Sequence, residues 1–267
     1  MILKFKKKDD KIGISIEPIK YYINKLPNKK ECKKIQIAVS NYNGFANINY
    51  VSVENIKKYK LPKYVRGCNS INNYHPTVSR ILSQKGINIK NIVTSCTVPC
   101  KTLLNIINEN NISGFYYLKI DTEGHDSIIL ENFCNNIRDN KYLPHKIYFE
   151  SNILSDKQQI INVITLLKNK GYDLIKSTKN TLLKLNLNNI KNKSSFTSAI
   201  TNYYIIDYPI NYDLINPPHE NNLEDAKRYC MKNNYSGITY QYNRYEVRNG
   251  KYIQYHKDNN LLSWIYI

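Results

Sequence analysis

Phe115-Tyr116-Tyr117-Leu118-Lys119-Ile120-Asp121-Thr122-Glu123-Gly124-His125-Asp126 changes character halfway along. The apolar and aromatic residues up to Ile120 predict a buried strand, Asp121–Gly124 a polar turn, and His125–Asn135 a helix. A strand that passes into a helix through an acidic turn is half of a β-α-β unit. The flanking chain repeats the pattern. Downstream, Lys146–Phe149 reads as a strand ending in Glu150, followed by a helix over Lys157–Lys170 that Gly171 stops. Upstream, Ile12–Ile16 reads as a strand halted at Glu17-Pro18, because proline cannot donate to a ladder and biases its predecessor toward extended geometry. Ile19, Tyr22, Ile23 and Leu26 then recur at helical spacing. Ile35–Ser40 reads as one further strand, closed by a turn at Asn41-Tyr42-Asn43-Gly44.

Alternating strands and helices predict a mostly parallel sheet covered on both faces, with ligands bound beyond the carboxyl ends of the strands. Three predicted strands end in a carboxylate: Glu17, Asp121 and Glu150. Each of these residues also suits a helix cap or a solvated turn. Farther along, Tyr172–Ile175, Thr181–Leu187 and Asn202–Ile206 are predicted strands. Between the two halves, Phe45–Val53 predicts a strand, Val53–Tyr59 a short helix and 61–70 a structured loop. A helix begins at Thr102, just after Cys96-Thr97-Val98-Pro99-Cys100, where the two cysteines have a spacing suited to opposite sides of a turn.

The organisation expected is one domain over 1–208, a linker at 209–218 and a small aromatic-rich α+β unit over 219–267. In that unit a helix over Leu223–Lys232 precedes short strands, and Asn249-Gly250 is a type I′ hairpin signal. Its aromatics, Tyr235, Tyr240, Tyr242, Tyr245, Tyr252, Tyr255, Trp264 and Tyr266, divide between a small core and a surface that suits sugar stacking or a partner.

Composition narrows the function. The formal charge is +18, but the basic residues are spread along the chain. A dispersed excess speaks of solubility and nonspecific contact rather than a nucleic-acid site. No apolar run approaches the roughly 20 residues of a membrane-spanning helix, and Met1–Asp10 lacks the apolar core of a signal peptide. A cytoplasmic protein is the expectation, in a host cytoplasm should the source be viral. The six cysteines form no Cys-x-x-Cys pair, so free thiols and no metal site are predicted.

Five segments together resemble the FkbM family of S-adenosylmethionine-dependent methyltransferases. They are Gly13-Ile14-Ser15-Ile16-Glu17-Pro18, Ala38-Val39-Ser40 with Gly44, Val98–Leu103, Leu118–Asp126 and Tyr148-Phe149-Glu150. Residues 58–80, with Leu61-Pro62, Arg66-Gly67 and His75-Pro76, also resemble the insert of family members encoded by large DNA viruses. The resemblance implies an α/β, Rossmann-like class I methyltransferase fold, a three-layer sandwich, with S-adenosylmethionine as cofactor. It implies cofactor contacts at Glu17, Pro18, Ala38, Ser40 and Asp121, with Glu17 accepting from the ribose hydroxyls. Asp121, Glu123, His125 and Glu150 become the candidate catalytic residues, facing the sulfonium and an acceptor hydroxyl. A carboxylate there can balance the cofactor's charge, orient the acceptor or take its proton. His125 equally suits a surface position at a helix start, and Glu150 a cap.

The implied activity is O-methylation of a small-molecule or sugar-type acceptor. The competing readings are an inactive methyltransferase-fold interaction module and a basic nucleic-acid-associated protein. One departure bears on the choice. Family members begin with a strand and a glycine-containing loop around the methionine part of the cofactor, and nothing before Gly13 matches it. Ile2-Leu3-Lys4-Phe5 reads as the tail of the helix after that loop. The sheet is therefore expected to lack its first strand, and cofactor affinity to be poor.

Overall fold

A computed structural model describes residues 2–4, 13–28, 32–112, 115–191, 193–197, 199–201, 203–206, 222–257 and 261–267. The expected linker at 209–218 lies outside them. The strands are β1 (Ile2–Lys4), β2 (Gly13–Ile16), β3 (Cys32–Ile35), β4 (Ala38–Ser40), β5 (Gly44–Val51), β6 (Ser70–Ile71), β7 (Val93–Thr102), β8 (Tyr117–Lys119), β9 (Lys146–Glu150), β10 (Tyr172–Ser177), β11 (Asn180–Leu185), β12 (Ile200–Thr201), β13 (Tyr203–Ile206), β14 (Gly237–Gln241), β15 (Arg244–Arg248), β16 (Tyr252–Tyr255) and β17 (Leu262–Ile265). The helices are α1 (Lys20–Lys25), α2 (Val53–Lys58), α3 (Pro76–Gln84), α4 (Leu103–Glu109), α5 (Asp126–Asn136), α6 (Lys157–Asn169) and α7 (Leu223–Lys232). No helix among the described residues is long and apolar enough to cross a membrane.

The central sheet has seven strands in the order β10-β11-β9-β8-β1-β2-β3. β2 is parallel to β3 and β8 to β9, while β1 is antiparallel to both β2 and β8. β2, β3, β8 and β9 therefore point the same way, and their carboxyl ends share one edge. One face of this sheet carries the alternate residues Ile14, Ile16, Leu118, Ile120, Ile147 and Phe149, all buried. They pack with Leu103, Ile106 and Ile107 of α4, Ile129, Leu130 and Phe133 of α5, and Val163 and Leu167 of α6. At about 25 cal/mol per Å² of apolar surface removed from water, this contiguous cluster is the main stabilising term of the domain.

The expectation of an empty first-strand position is corrected here. Ile2–Lys4 is a strand rather than a helix tail, and it fills the slot between β2 and β8 running the opposite way. Three apolar or long side chains in a row carry no periodicity that separates helix from strand. Pairing on both sides decides the matter. The single strand read over Ile35–Ser40 is also corrected: β3 pairs with β2, whereas β4 pairs with β7 of a second sheet. The chain changes sheets at Gln36-Ile37.

That second sheet, β4-β7-β5-β6, belongs to a lobe over residues 38–102. It is backed by a separate core of Val51, Ile56, Val65, Val78, Leu82 and Ile92. Cys96 and Cys100 lie within the one strand β7, not across a turn, and all six cysteines are free thiols. The helix entries follow local rules. Ser52 accepts from Asn55 N–H, Asp156 from Gln159 N–H, and His75 caps α3 with Pro76 behind it.

At the C-terminal side, β12-β17-β14-β15 form a sheet under α7, and β13 pairs with β16. β12 and β13 thus lie in the first domain by sequence and pair with strands of the last 49 residues expected as an appendage (219–267). The type I′ hairpin is placed elsewhere than Asn249-Gly250. It links β14 to β15 through Tyr242 and Asn243, both left-handed at φ 51° and 61°. Gly250 is required for a different reason: a Cβ there would stand 1.9 Å from the Ile206 carbonyl oxygen. The aromatics lie mostly against protein, with Tyr266 buried, Tyr242 exposed and the other six half-buried, rather than dividing between a core and a surface. Tyr245 packs on Tyr240 and Trp264, with ring centroids 4.8 and 5.8 Å away, and Tyr242 is 81% exposed.

Candidate functional site

Glu17 follows β2, Asp121 stands two residues beyond β8, and Glu150 ends β9. The common direction of these strands brings the three carboxylates to one edge of the sheet. A cavity of about 500 Å³ opens there. Glu17, Pro18, Ala38, Asp121, Glu123 and His125 line it, so six of the eight sequence-predicted residues share one wall system. Ser40 and Glu150 stand just behind, each bonded to or clustered with a lining residue.

The apolar part of the cavity is made by Ile16, Ile37, Val39 and Ile48. Glu17 sits at its margin with one carboxylate oxygen accepting the Ile19 N–H at 2.9 Å. Burial pushes its carboxyl above the usual range, and that hydrogen bond pulls it back. The second oxygen has no protein partner among the described residues and is available to a ligand.

The turn Asp121–Gly124 projects the carboxylates of Asp121 and Glu123, and its last two residues have positive φ. Glu123 has φ 54° and Gly124 φ 95°. A Cβ on Gly124 would meet the Leu154 carbonyl oxygen at 2.8 Å, so the loop after β9 seats directly on this turn. Lys119 Nζ pairs with Asp121 Oδ2 at 2.8 Å, and His75 Nε2 stands 3.2 Å from Glu123 Oε2. Oxygens of Asp121, Glu123 and Glu150 all lie within 4.8 Å of one another. Asn152 Nδ2 donates to Glu150 Oε1 at 2.6 Å, and Glu150 Oε2 is buried with no hydrogen-bond partner. Burial first, then the charges of Glu123, Asp121 and Asp126, push Glu150 up to about 7. His125 is half-buried rather than a surface residue, its Nε2 2.8 Å from Ser40 Oγ. Burial lowers its proton affinity.

Sequence reading missed the residue that holds this geometry. Asp126 is fully buried at the start of α5. Its Oδ1 accepts the Thr122 N–H at 2.8 Å and the Thr122 hydroxyl, and its Oδ2 accepts the Glu150 N–H at 2.7 Å. One carboxylate thereby ties the turn after β8 to the end of β9. Burial raises its carboxyl, against the pull of these hydrogen bonds. The spacing Asp121-x-Glu123-Gly124-x-Asp126 was visible, but which of its acids faces inward was not. The second lobe was also missed as a wall: Lys63, Tyr64, Arg66 and Asn69 close the cavity opposite the sheet.

The ends of parallel strands beside a cavity are where α/β domains commonly bind ligands. Residues 1–174 match the family model described as the methyltransferase FkbM domain. This is well over half of the 267 residues, and the chain belongs to the FkbM methyltransferase family. No curated protein and no solved structure gives a match.

Proposed function

We propose that this chain is an S-adenosylmethionine-dependent methyltransferase acting on a hydroxyl of a small-molecule or sugar-type acceptor. The observation that carries the reading is the convergence of Glu17, Asp121 and Glu123 on one cavity, with Glu150 clustered against the last two, in a chain of this family. The order of the central sheet, with β11 antiparallel to both neighbours, supports a Rossmann-like class I reading.

The residues present fit the nucleoside and sulfonium parts of the cofactor. The free oxygen of Glu17 suits a ribose diol, and Ile16, Ile37, Val39 and Ile48 suit an adenine face. Pro18 and Ala38 complete that wall, while Ser40 acts through His125. Asp121 and Glu123 place negative charge where a sulfonium would stand. When bound, the cofactor supplies an electrophilic methyl group. The chain's own residues then align and deprotonate. Glu150, half-buried just behind the turn, accepts the acceptor's hydroxyl proton, and His125, held neutral by burial and pinned by Ser40, orients the hydroxyl. Methyl transfer is an in-line displacement, so alignment supplies much of the rate.

The pH dependence has a definite sign. Glu150 carries a proton below about 7 and is competent as a base only above it. The rate of methyl incorporation into a panel of sugars and polyols is expected to rise through that pH and then level off. A flat profile removes Glu150 from the role. The slot where family members place a strand before their glycine loop holds the reversed β1, and among the described residues the cavity's lining includes no glycine other than Gly67. Titration calorimetry with S-adenosylmethionine is therefore expected to give a dissociation constant weaker than micromolar. Absence of any binding at millimolar cofactor would sink the enzyme reading and leave a methyltransferase-fold interaction module.

A further inference from the structure

Three carboxyl groups crowd the mouth of the cavity, and each has a different partner. Asp121 faces the Lys119 ammonium at 2.8 Å. Glu150 has the neutral Asn152 amide on one oxygen and nothing on the other. Glu123 faces His75, a residue 48 positions away that reaches the site from the second lobe.

His75 is 3% exposed and stands at the N-terminus of α3. Its Nδ1 accepts the Thr77 N–H at 3.2 Å. A ring nitrogen that accepts a backbone N–H carries no proton, so the imidazole's one proton sits on Nε2 and points at Glu123 Oε2. The cap of a helix in one lobe thus fixes the tautomer of a donor to the turn in the other.

We infer that His75 is a positioning residue: by donating from a fixed tautomer to Glu123 Oε2, it holds that carboxylate beside Asp121 and Glu150, so that the surroundings of Glu150 depend on a side chain of the second lobe. Carboxylates this close do not all ionise together, and the one without a compensating donor or cation retains the proton. The groups facing Glu150 agree. Asp121 and Lys119 approach from β8 and its end, Glu123 from the turn, and Asp126 from α5. The Cys68 thiol after the 63–67 helical turn also feels Glu150, and burial holds it protonated, up to about 11. Lys119 alone among these is a cation, and it is engaged with Asp121. The inference rests on the methyl-transfer reading only for its consequence, a base poised near neutrality. The proton assignment is a property of the protein alone.

Carbon-13 carboxyl NMR across the weakly acidic to weakly basic range tests it on the native chain, His75→Phe and His75→Gln. Phenylalanine keeps the volume and removes the donor; glutamine keeps an N–H that reaches the same carboxylate. In the native chain Glu150 is expected to titrate near 7, and in His75→Phe its midpoint falls by on the order of half a unit or more once the Glu123 carboxylate is no longer held beside it. His75→Gln keeps the native midpoint. An unchanged midpoint in His75→Phe, or equal shifts in both variants, overturns the inference. Should the phenylalanine variant not fold, nitrogen-15 spectra of native His75 decide: a proton on Nε2 supports the assignment, and one on Nδ1 overturns it. None of these readouts needs turnover, so loss of the methyl-transfer reading leaves them intact.

Discussion

Asp126→Ala is expected to destabilise the domain by about 3 kcal/mol or more. The carboxylate is fully buried and accepts from two backbone N–H groups and one hydroxyl. Its removal strands the Thr122 and Glu150 N–H groups where water does not reach, at roughly 1–3 kcal/mol each. It also unties the turn bearing Asp121 and Glu123 from the strand bearing Glu150. Asp126→Asn should lose less. An amide keeps the acceptor on one side but sets an N–H against an N–H on the other. Urea unfolding measures both, read as a lower midpoint with an unchanged slope. If the alanine variant unfolds within about 1 kcal/mol of the native chain, the three hydrogen bonds are not what joins the two strand ends.

Glu17→Ala is expected to weaken nucleoside binding about a hundredfold, followed with adenosine and S-adenosylmethionine by calorimetry. Two hydroxyls donating to one carboxylate contribute about 1.5–3 kcal/mol apiece as charge-assisted hydrogen bonds. Glu17→Gln, which retains one acceptor oxygen, should fall between. Because Glu17 also accepts the Ile19 N–H ahead of α1, the alanine variant loses roughly 1 kcal/mol of stability with that hydrogen bond. A thermal melt separates that loss from binding. Native affinity in Glu17→Ala would place the nucleoside elsewhere and dissolve the case built on the ends of the parallel strands.

The strand-end acids Glu17, Asp121 and Glu150 were legible because strand, acid and helix follow one another within a few residues. Local order fixed which edge of the sheet they share. His75 was not legible as part of the site, since its partner Glu123 is 48 positions away and the pairing depends on how two lobes meet. Asp126 was visible as a letter of the motif, but only packing shows that it points into the core while Asp121 points out. Misreadings arose where a local signal lost to pairing. Asn249-Gly250 has the right residues for a tight hairpin, yet Tyr242-Asn243 adopts those dihedrals because β14 and β15 pair there. The glycine serves a close crossing of chains instead. Ile35–Ser40 looked continuous because a strand that leaves one sheet for another keeps the same apolar character throughout. Ile2–Lys4 had no period to read.

The reversed β1 has a mechanical side. Among the described residues of the central sheet its three residues are the hydrogen-bonded bridge between the β2–β3 pair, which carries Glu17, and the β8–β9–β11–β10 block, which carries Asp121 and Glu150. The span across the ligand cleft is therefore set by a staple of three rungs on each side, far in sequence from the acids it spaces. Loosening that staple would widen the jaws while leaving each of them internally intact.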